Sequence, residues 1–194
     1  MNTLARQQEA VIVNGLDTTA LSGLINMVDE NPGGGRVTFL SRTSWQDGAR
    51  SFTRFGGYKV DGQMQHQSER NLVVLGDEPV ELSGTDAAPG PIEELMYAAA
   101  TCIAATINAN AALRNIELRQ LEVALESDID LHGIFNLEPK TRPGISEMRA
   151  KITIAGEADP ATLREIAQAG YQFSPVRDSV DNGVTVKPNI VVSS

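Results

Sequence analysis

Apolar residues change their spacing several times along this chain, and each change predicts a different element. Between residues 17 and 30, Leu21, Leu24, Ile25 and Val28 recur at helical intervals behind Asp17 or Thr18 as caps, until Asn31-Pro32-Gly33 stops the pattern. This predicts a short amphipathic helix on a glycine tether. Its polar side lacks the Lys and Arg of helices that lie on membranes, so the apolar stripe reads as a docking face for the body or for a second subunit. From residue 36 to 75, short runs of β-branched and aromatic residues are punctuated by Gln46-Asp47-Gly48, Gly56-Gly57 and Asp61-Gly62. That alternation predicts two or three antiparallel strands, with Trp45 and Phe55 as packing anchors.

A loop rich in Gly, Asp and Pro over residues 76–90 leads into Pro91, whose fixed φ suits the first turn of a helix. Glu93 and Glu94 favour the positive end of that helix, and Arg114-Asn115 suits its finish. Between those ends nearly every residue is Ala, Ile, Leu, Met, Thr or Asn, so the helix lacks a wide charged face and is expected to be buried on most sides. One subunit of this size would struggle to supply that cover. Beyond it, Leu121, Val123 and Leu125, then Ile129 and Leu131 in the same phase, alternate with polar residues, as do Met148, Ala150, Ile152 and Ile154. Two paired strands are predicted. Asp159-Pro160 opens a second helix closing at Gly170, Ser174-Pro175 caps a further turn or two, and residues 184–192 are expected to form a last strand.

Composition then narrows the partners. The 194 residues, 41% of them hydrophobic, can build the core of one α+β domain. With 25 acidic residues against 16 Lys and Arg, the net charge of −9 lacks the phosphate-neutralising surface that nucleic acid demands. Anionic membrane is disfavoured for the same reason. The most apolar stretch, residues 95–107, falls short of the roughly 20 residues of a membrane span. A single Cys precludes an internal disulfide, and MNTLARQQEA lacks the apolar run of a signal peptide, so a cytoplasmic location is expected. His66 and His132 lie far apart, and no phosphate-loop, dinucleotide or G-x-S-x-G signature occurs, so neither a metal nor a cofactor is expected.

Two local signatures fall within this order of elements. One runs Ala88-Pro89-Gly90-Pro91-Ile92-Glu93-Glu94-Leu95-Met96-Tyr97-Ala98-Ala99-Ala100-Thr101-Cys102; the other runs Ser174-Pro175-Val176-Arg177-Asp178-Ser179-Val180-Asp181-Asn182-Gly183-Val184. Together they resemble the OsmC-like family, which includes the organic hydroperoxide resistance proteins. The resemblance spans about residues 36–193 and leaves 1–35 as an N-terminal extension before an OsmC-like domain at 36–194. It implies an intertwined homodimer, with central helices packed together and wrapped by antiparallel sheets drawn from both chains.

In the peroxidase members of that family a helix Cys attacks a hydroperoxide, a second Cys resolves the sulfenic acid, and an Arg and a Glu assist. Carried over, Cys102 matches the attacking Cys, and the resolving position holds Ser174, which cannot form a disulfide. Counting from Pro91, the hydroperoxide-resistance branch places the glutamate at Ile92 and other branches place it at Glu93. The arginine candidates are Arg50 and Arg54, with Arg70 as a third. Cys102 lies roughly ten residues into its helix, beyond the first-turn reach of the dipole, so a reactive thiolate must borrow charge from elsewhere. Relative to Cys102, Glu94 lies about 80° around the helix axis and Glu93 about 180°.

Each of these residues also has a plain structural reading. Cys102 would be a small core residue, Glu93 a first-turn charge, Arg50 and Arg54 solvated hairpin charges, and Ser174 an N-cap. The leading expectation is a one-cysteine peroxidase that reduces organic hydroperoxides and is regenerated by an external thiol. The alternative is a non-catalytic dimer of the same fold that binds a small apolar molecule at its interface.

Overall fold

A computed structural model of the chain describes residues 9–66 and 69–193. Most of the MNTLARQQEA stretch, residues 1–8, lies outside them. The described residues fall into two compact units that divide between Leu95 and Met96.

The first unit opens with a hairpin, β1 (Ile12–Val13) and β2 (Leu16–Asp17), which the apolar spacing had not predicted. Its turn is Asn14-Gly15, with φ of 51° and 79°, the left-handed pair that a two-residue hairpin requires. Asp17 then caps α1 (Thr18–Glu30) by accepting a hydrogen bond from the Ala20 N–H, and the helix ends at Asn31 as expected. No residue of α1 is buried, and Leu24 and Ile25 stay exposed.

Where two or three strands were expected there are six, in two antiparallel sheets. In one, β3 (Val37–Thr38), β6 (Tyr58–Val60) and β7 (Gln63–Gln65) stand in the order β3-β6-β7. In the other, β4 (Ser41–Asp47), β5 (Arg50–Phe55) and β8 (Leu72–Gly76) stand in the order β4-β5-β8. Gln46-Asp47-Gly48 and Asp61-Gly62 each turn the chain back into an antiparallel hairpin, and Gly56-Gly57 separates strands of different sheets, so the short runs become separate strands. Trp45 is no packing anchor within this chain: it is 73% exposed, and its Nε1–H donates to the Gly48 carbonyl at 2.9 Å. Phe55 is also exposed.

The 76–90 loop is organised by Asp77, a residue to which the spacing assigned no role. Its carboxylate is 1% exposed. Oδ2 accepts from the Thr85 hydroxyl at 2.5 Å and from the Thr85 and Ala87 N–H groups at 3.1 Å each. These bonds, that from the Thr85 hydroxyl above all, lower the Asp77 pKa from 3.8 to about 2. The Asp77 N–H in turn donates to the Pro89 carbonyl, so the loop is tied just ahead of the long helix α2 (Pro91–Leu113).

Most of α2 belongs to the second unit. Ile103, Ile107 and Ala111 form its core with Ile166, and Leu121, Val123, Ile152 and Ile154 pack against them. With 23 residues and a mean hydropathy of 1.2, α2 is long and apolar enough to cross a bilayer by length and composition. Only Ala99, Ile103, Ile107, Ala111 and Ala112 are buried along it, so the cover expected on most sides is not supplied by this chain alone. Asn115, at φ 55°, closes the helix as its left-handed cap residue.

The expected strand pair is β9 (Leu118–Asp128) and β10 (Glu147–Gly156), with Leu125 opposite Ala150 and Val123 opposite Ile152. The strand does not continue through Ile129 and Leu131. Asp130 caps the short helix α3 (Leu131–Ile134) instead, accepting from the His132 N–H at 2.9 Å, a local bond that outcompetes further alternation. Helix α4 (Pro160–Gln172) is capped by Asp159 and runs two residues past Gly170. Gly170 is there for contact, since a Cβ on it would meet Ile107 Cα at 2.5 Å. The Thr106 hydroxyl bonds the Gly170 carbonyl at 2.6 Å across the same approach. Helix α5 (Pro175–Asn182) follows, and residues 184–192 do not form the expected last strand. They have no ladder partner among the described residues, and Val186 and Ile190 are 85% and 83% exposed. A strand needs a partner for its backbone ladder, and this segment pairs with none among the described residues.

Candidate functional site

The second unit carries the thiol and the family's second motif. Cys102 is free and half-buried on α2, and its carbonyl accepts from the Thr106 hydroxyl at 2.9 Å. Ala99, about 60° around the helix axis from Cys102, and Ile103, about 100° around it, are both buried. Ala99 and Ile103 form one wall of a small cavity of about 30 Å³, closed elsewhere by Leu125, Met148, Tyr171 and Arg177; Cys102 itself does not line it. A space of that size admits a water or a group of like size, not an organic body.

The polar side chains that line this cavity are Tyr171 of α4 and Arg177 and Asp181 of α5. Ser174 is fully buried, and its Oγ accepts from the Arg177 N–H at 3.5 Å as the N-cap of α5. That cap starts the helix so that Arg177 and Asp181, one turn apart, form an ion pair. The Arg177 guanidinium carbon lies 4.9 Å from the centre of the Tyr171 ring, and its Nε is buried with no hydrogen-bond partner. The hydrogen bond with Tyr171, and then the Asp181 charge, raise the Arg177 pKa above its ordinary value, so this cation stays charged beside the apolar wall. Sequence reasoning passed over Arg177. Its signal was the i, i+4 pair Arg177 and Asp181 inside the motif already quoted.

The other expected residues lie in the first unit, each with partners there. Glu93 accepts from the Gly90 N–H at 2.7 Å, which makes it the third-position half of a capping box at the start of α2. Arg50 faces Asp47 at 3.6 Å. Arg54 donates to the Asn71 Oδ1 at 3.3 Å and lies over the Phe52 ring, while Arg70 lies over Tyr58. The plain readings of Glu93, the hairpin arginines and Ser174 therefore describe the contacts these residues make. Among the described residues, no three His, Cys, Asp or Glu side chains gather in a way that would hold a metal ion.

The model of the OsmC-like protein family matches residues 84–189, more than half of the 194. The chain belongs to the OsmC-like family. Solved structures agree on its mixed helix-and-sheet fold. An OsmC-like protein from Mycoplasma pneumoniae superposes with a TM-score of 0.58 at 13% identity, over 75% of this chain and 89% of that one. A Legionella pneumophila protein described as an organic hydroperoxide resistance protein OsmC gives 0.51 at 14% identity, over 77% and 93%. At such identities the likeness concerns the fold. No curated protein matches the chain in sequence. Within the OsmC-like frame, the matched segment contains α2 with Cys102 as well as Ser174 and Arg177.

Proposed function

We propose that this OsmC-like chain has a redox role in stress defence, as a thiol peroxidase that reduces organic hydroperoxides through Cys102 without a resolving cysteine of its own. The observation that carries the reading is the half-buried free thiol on α2, one turn beyond Ala99, which lines a small cavity together with Arg177. The name of the Legionella relative adds support for the substrate class. In the proposed step the Cys102 sulfur attacks the terminal oxygen of ROOH and the O–O bond breaks. Cys–SOH and ROH form, the proton passing to the departing alkoxide. Ser174 holds no sulfur, so an external thiol condenses with the sulfenic acid, releasing water, and a second equivalent frees Cys102 as a disulfide leaves.

Arg50 or Arg54 is proposed to stabilise the thiolate with its positive charge, and Glu93 to hold that guanidinium in place. We place the active form in the cytoplasm as a homodimer, with residues 36–194 as the catalytic domain and 1–35 as an extension. Support for the dimer comes from residues 184–192, exposed and paired with no strand among the described residues, and from the many half-covered apolar positions of α2. Light scattering at low micromolar concentration then reads twice the chain mass.

The test is mass spectrometry after one equivalent of cumene hydroperoxide. One oxygen is expected on Cys102, replaced by a mixed disulfide when a small thiol is present, and neither in Cys102→Ser. A Cys102 that stays unmodified while the peroxide persists overturns the peroxidase reading.

A further inference from the structure

We propose a second binding site, separate from the thiol, for a small anionic amphiphile: a carboxylate head on an aliphatic tail, held in the groove between β10 and α4. The groove encloses about 590 Å³, within the range of small-molecule sites. Its floor is Ile152, Ile154, Leu163 and Ala167, and its rim carries Arg119 and Arg164. A second stretch of about 350 Å³ shares Ile152, Arg164 and Ala167 and continues toward Ala150 and Tyr171. The two stretches share Arg164, and Arg119 lines the larger of them.

Charge selects the occupant. The chain carries −9 overall, yet neither stretch is lined by an Asp or Glu. Among the described residues neither Arg119 nor Arg164 has an ion-pair partner. Glu165, adjacent to Arg164 in sequence, is taken by Arg114 at 2.9 Å. Two free guanidinium groups over an apolar floor suit one carboxylate, which accepts paired N–H bonds, with a chain that buries its methylenes behind it. A cationic or neutral amphiphile would leave them unmatched.

The backbone places Arg119 at the rim by an irregularity. Along β9, Gln120 faces Ala155 but Leu118 faces Gly156, so Arg119 is the extra residue of a β-bulge. Strict alternation would have set Arg119 on the face of Leu121 and Val123, in the core. The bulge instead returns Leu118 to the core cluster and leaves Arg119 exposed at the groove.

Calorimetric titration of the full chain with decanoate, decanol and decyltrimethylammonium tests this. Decanoate is expected to bind at least about tenfold more tightly than either comparator, and Arg119→Gln and Arg164→Gln each to weaken it by about tenfold. Both side chains are exposed, so the variants should keep the wild-type melting temperature. Cys102→Ala should bind decanoate unchanged, which separates this site from the peroxidase reading. Equal affinity for decanol, or wild-type affinity in both arginine variants, overturns the proposal. So does a chain that binds no decanoate while the arginine variants change its mass in light scattering, which would make the groove a contact between copies.

Discussion

Gly170→Ala sets local preference against tertiary contact, and the two disagree in sign. In a helix, replacing glycine by alanine is ordinarily favourable by up to about 1 kcal/mol, less near the end of α4. Here the new methyl would stand 2.5 Å from both Cα and Cγ1 of Ile107 and 2.6 Å from its backbone nitrogen. Carbon atoms pack at about 3.5 Å or more, so α4 must retreat by about 1 Å, because the atoms it meets include rigid backbone of α2. Such overpacking costs about 1–3 kcal/mol. The same retreat stretches the 2.6 Å bond from the Thr106 hydroxyl to the Gly170 carbonyl, worth about 1 kcal/mol. The net expectation is a loss of about 2 kcal/mol, read as a melting temperature lower by about 4–8 °C for a chain of this size. Tyr171 and Arg177 follow Gly170 in the chain and wall the cavity beside Ala99 and Ile103, so the displacement should also alter the alkylation rate of Cys102. Calorimetry and iodoacetamide labelling would be run on the same preparations. An unchanged or raised melting temperature would refute the close approach of α2 and α4.

Asp77→Asn keeps the shape of the loop anchor but weakens its charge-assisted bonds, and it sets an amide where Oδ1 now has no partner, so the variant should melt lower at neutral pH. Because the folded pKa is depressed from 3.8 to about 2, the wild-type advantage is fully present above about 4 and declines as pH falls toward 2. Urea midpoints of the two proteins should converge across that window, and a constant gap would contradict the assignment. Ser174→Ala removes the N-cap of α5, and with a bond as long as 3.5 Å the cost should fall toward the low end of about 0.5–2 kcal/mol by urea melts. Arg177→Met should leave the fold largely intact yet slow the reaction of Cys102 with cumene hydroperoxide, while Arg177→Lys retains part of the rate. Equal rates in all three would remove Arg177 from the site.

Much of this fold was written in local chemistry. Asp17, Pro91, Asp159 and Ser174-Pro175 start helices because a cap or a preset φ acts within one turn, and the alternation of Leu121, Val123 and Leu125 with polar residues needs only a sheet with one buried face. The two motifs around Cys102 and Ser174 likewise pointed to the OsmC-like family, because those residues are close together in sequence. What depended on distant neighbours was misjudged or unseen. Residues 184–192 had strand composition but pair with no strand among the described residues. Asp77 looked like one more loop acid until Thr85 and Ala87 folded back onto it. The partners of Glu93 and Arg54, the stacking of Arg177 on Tyr171, and the bulge that turns Arg119 outward depend on which segments meet in space. Periodicity in the chain records which face of an element is apolar. The identity of the residue across the gap is set only when packing brings two such faces together.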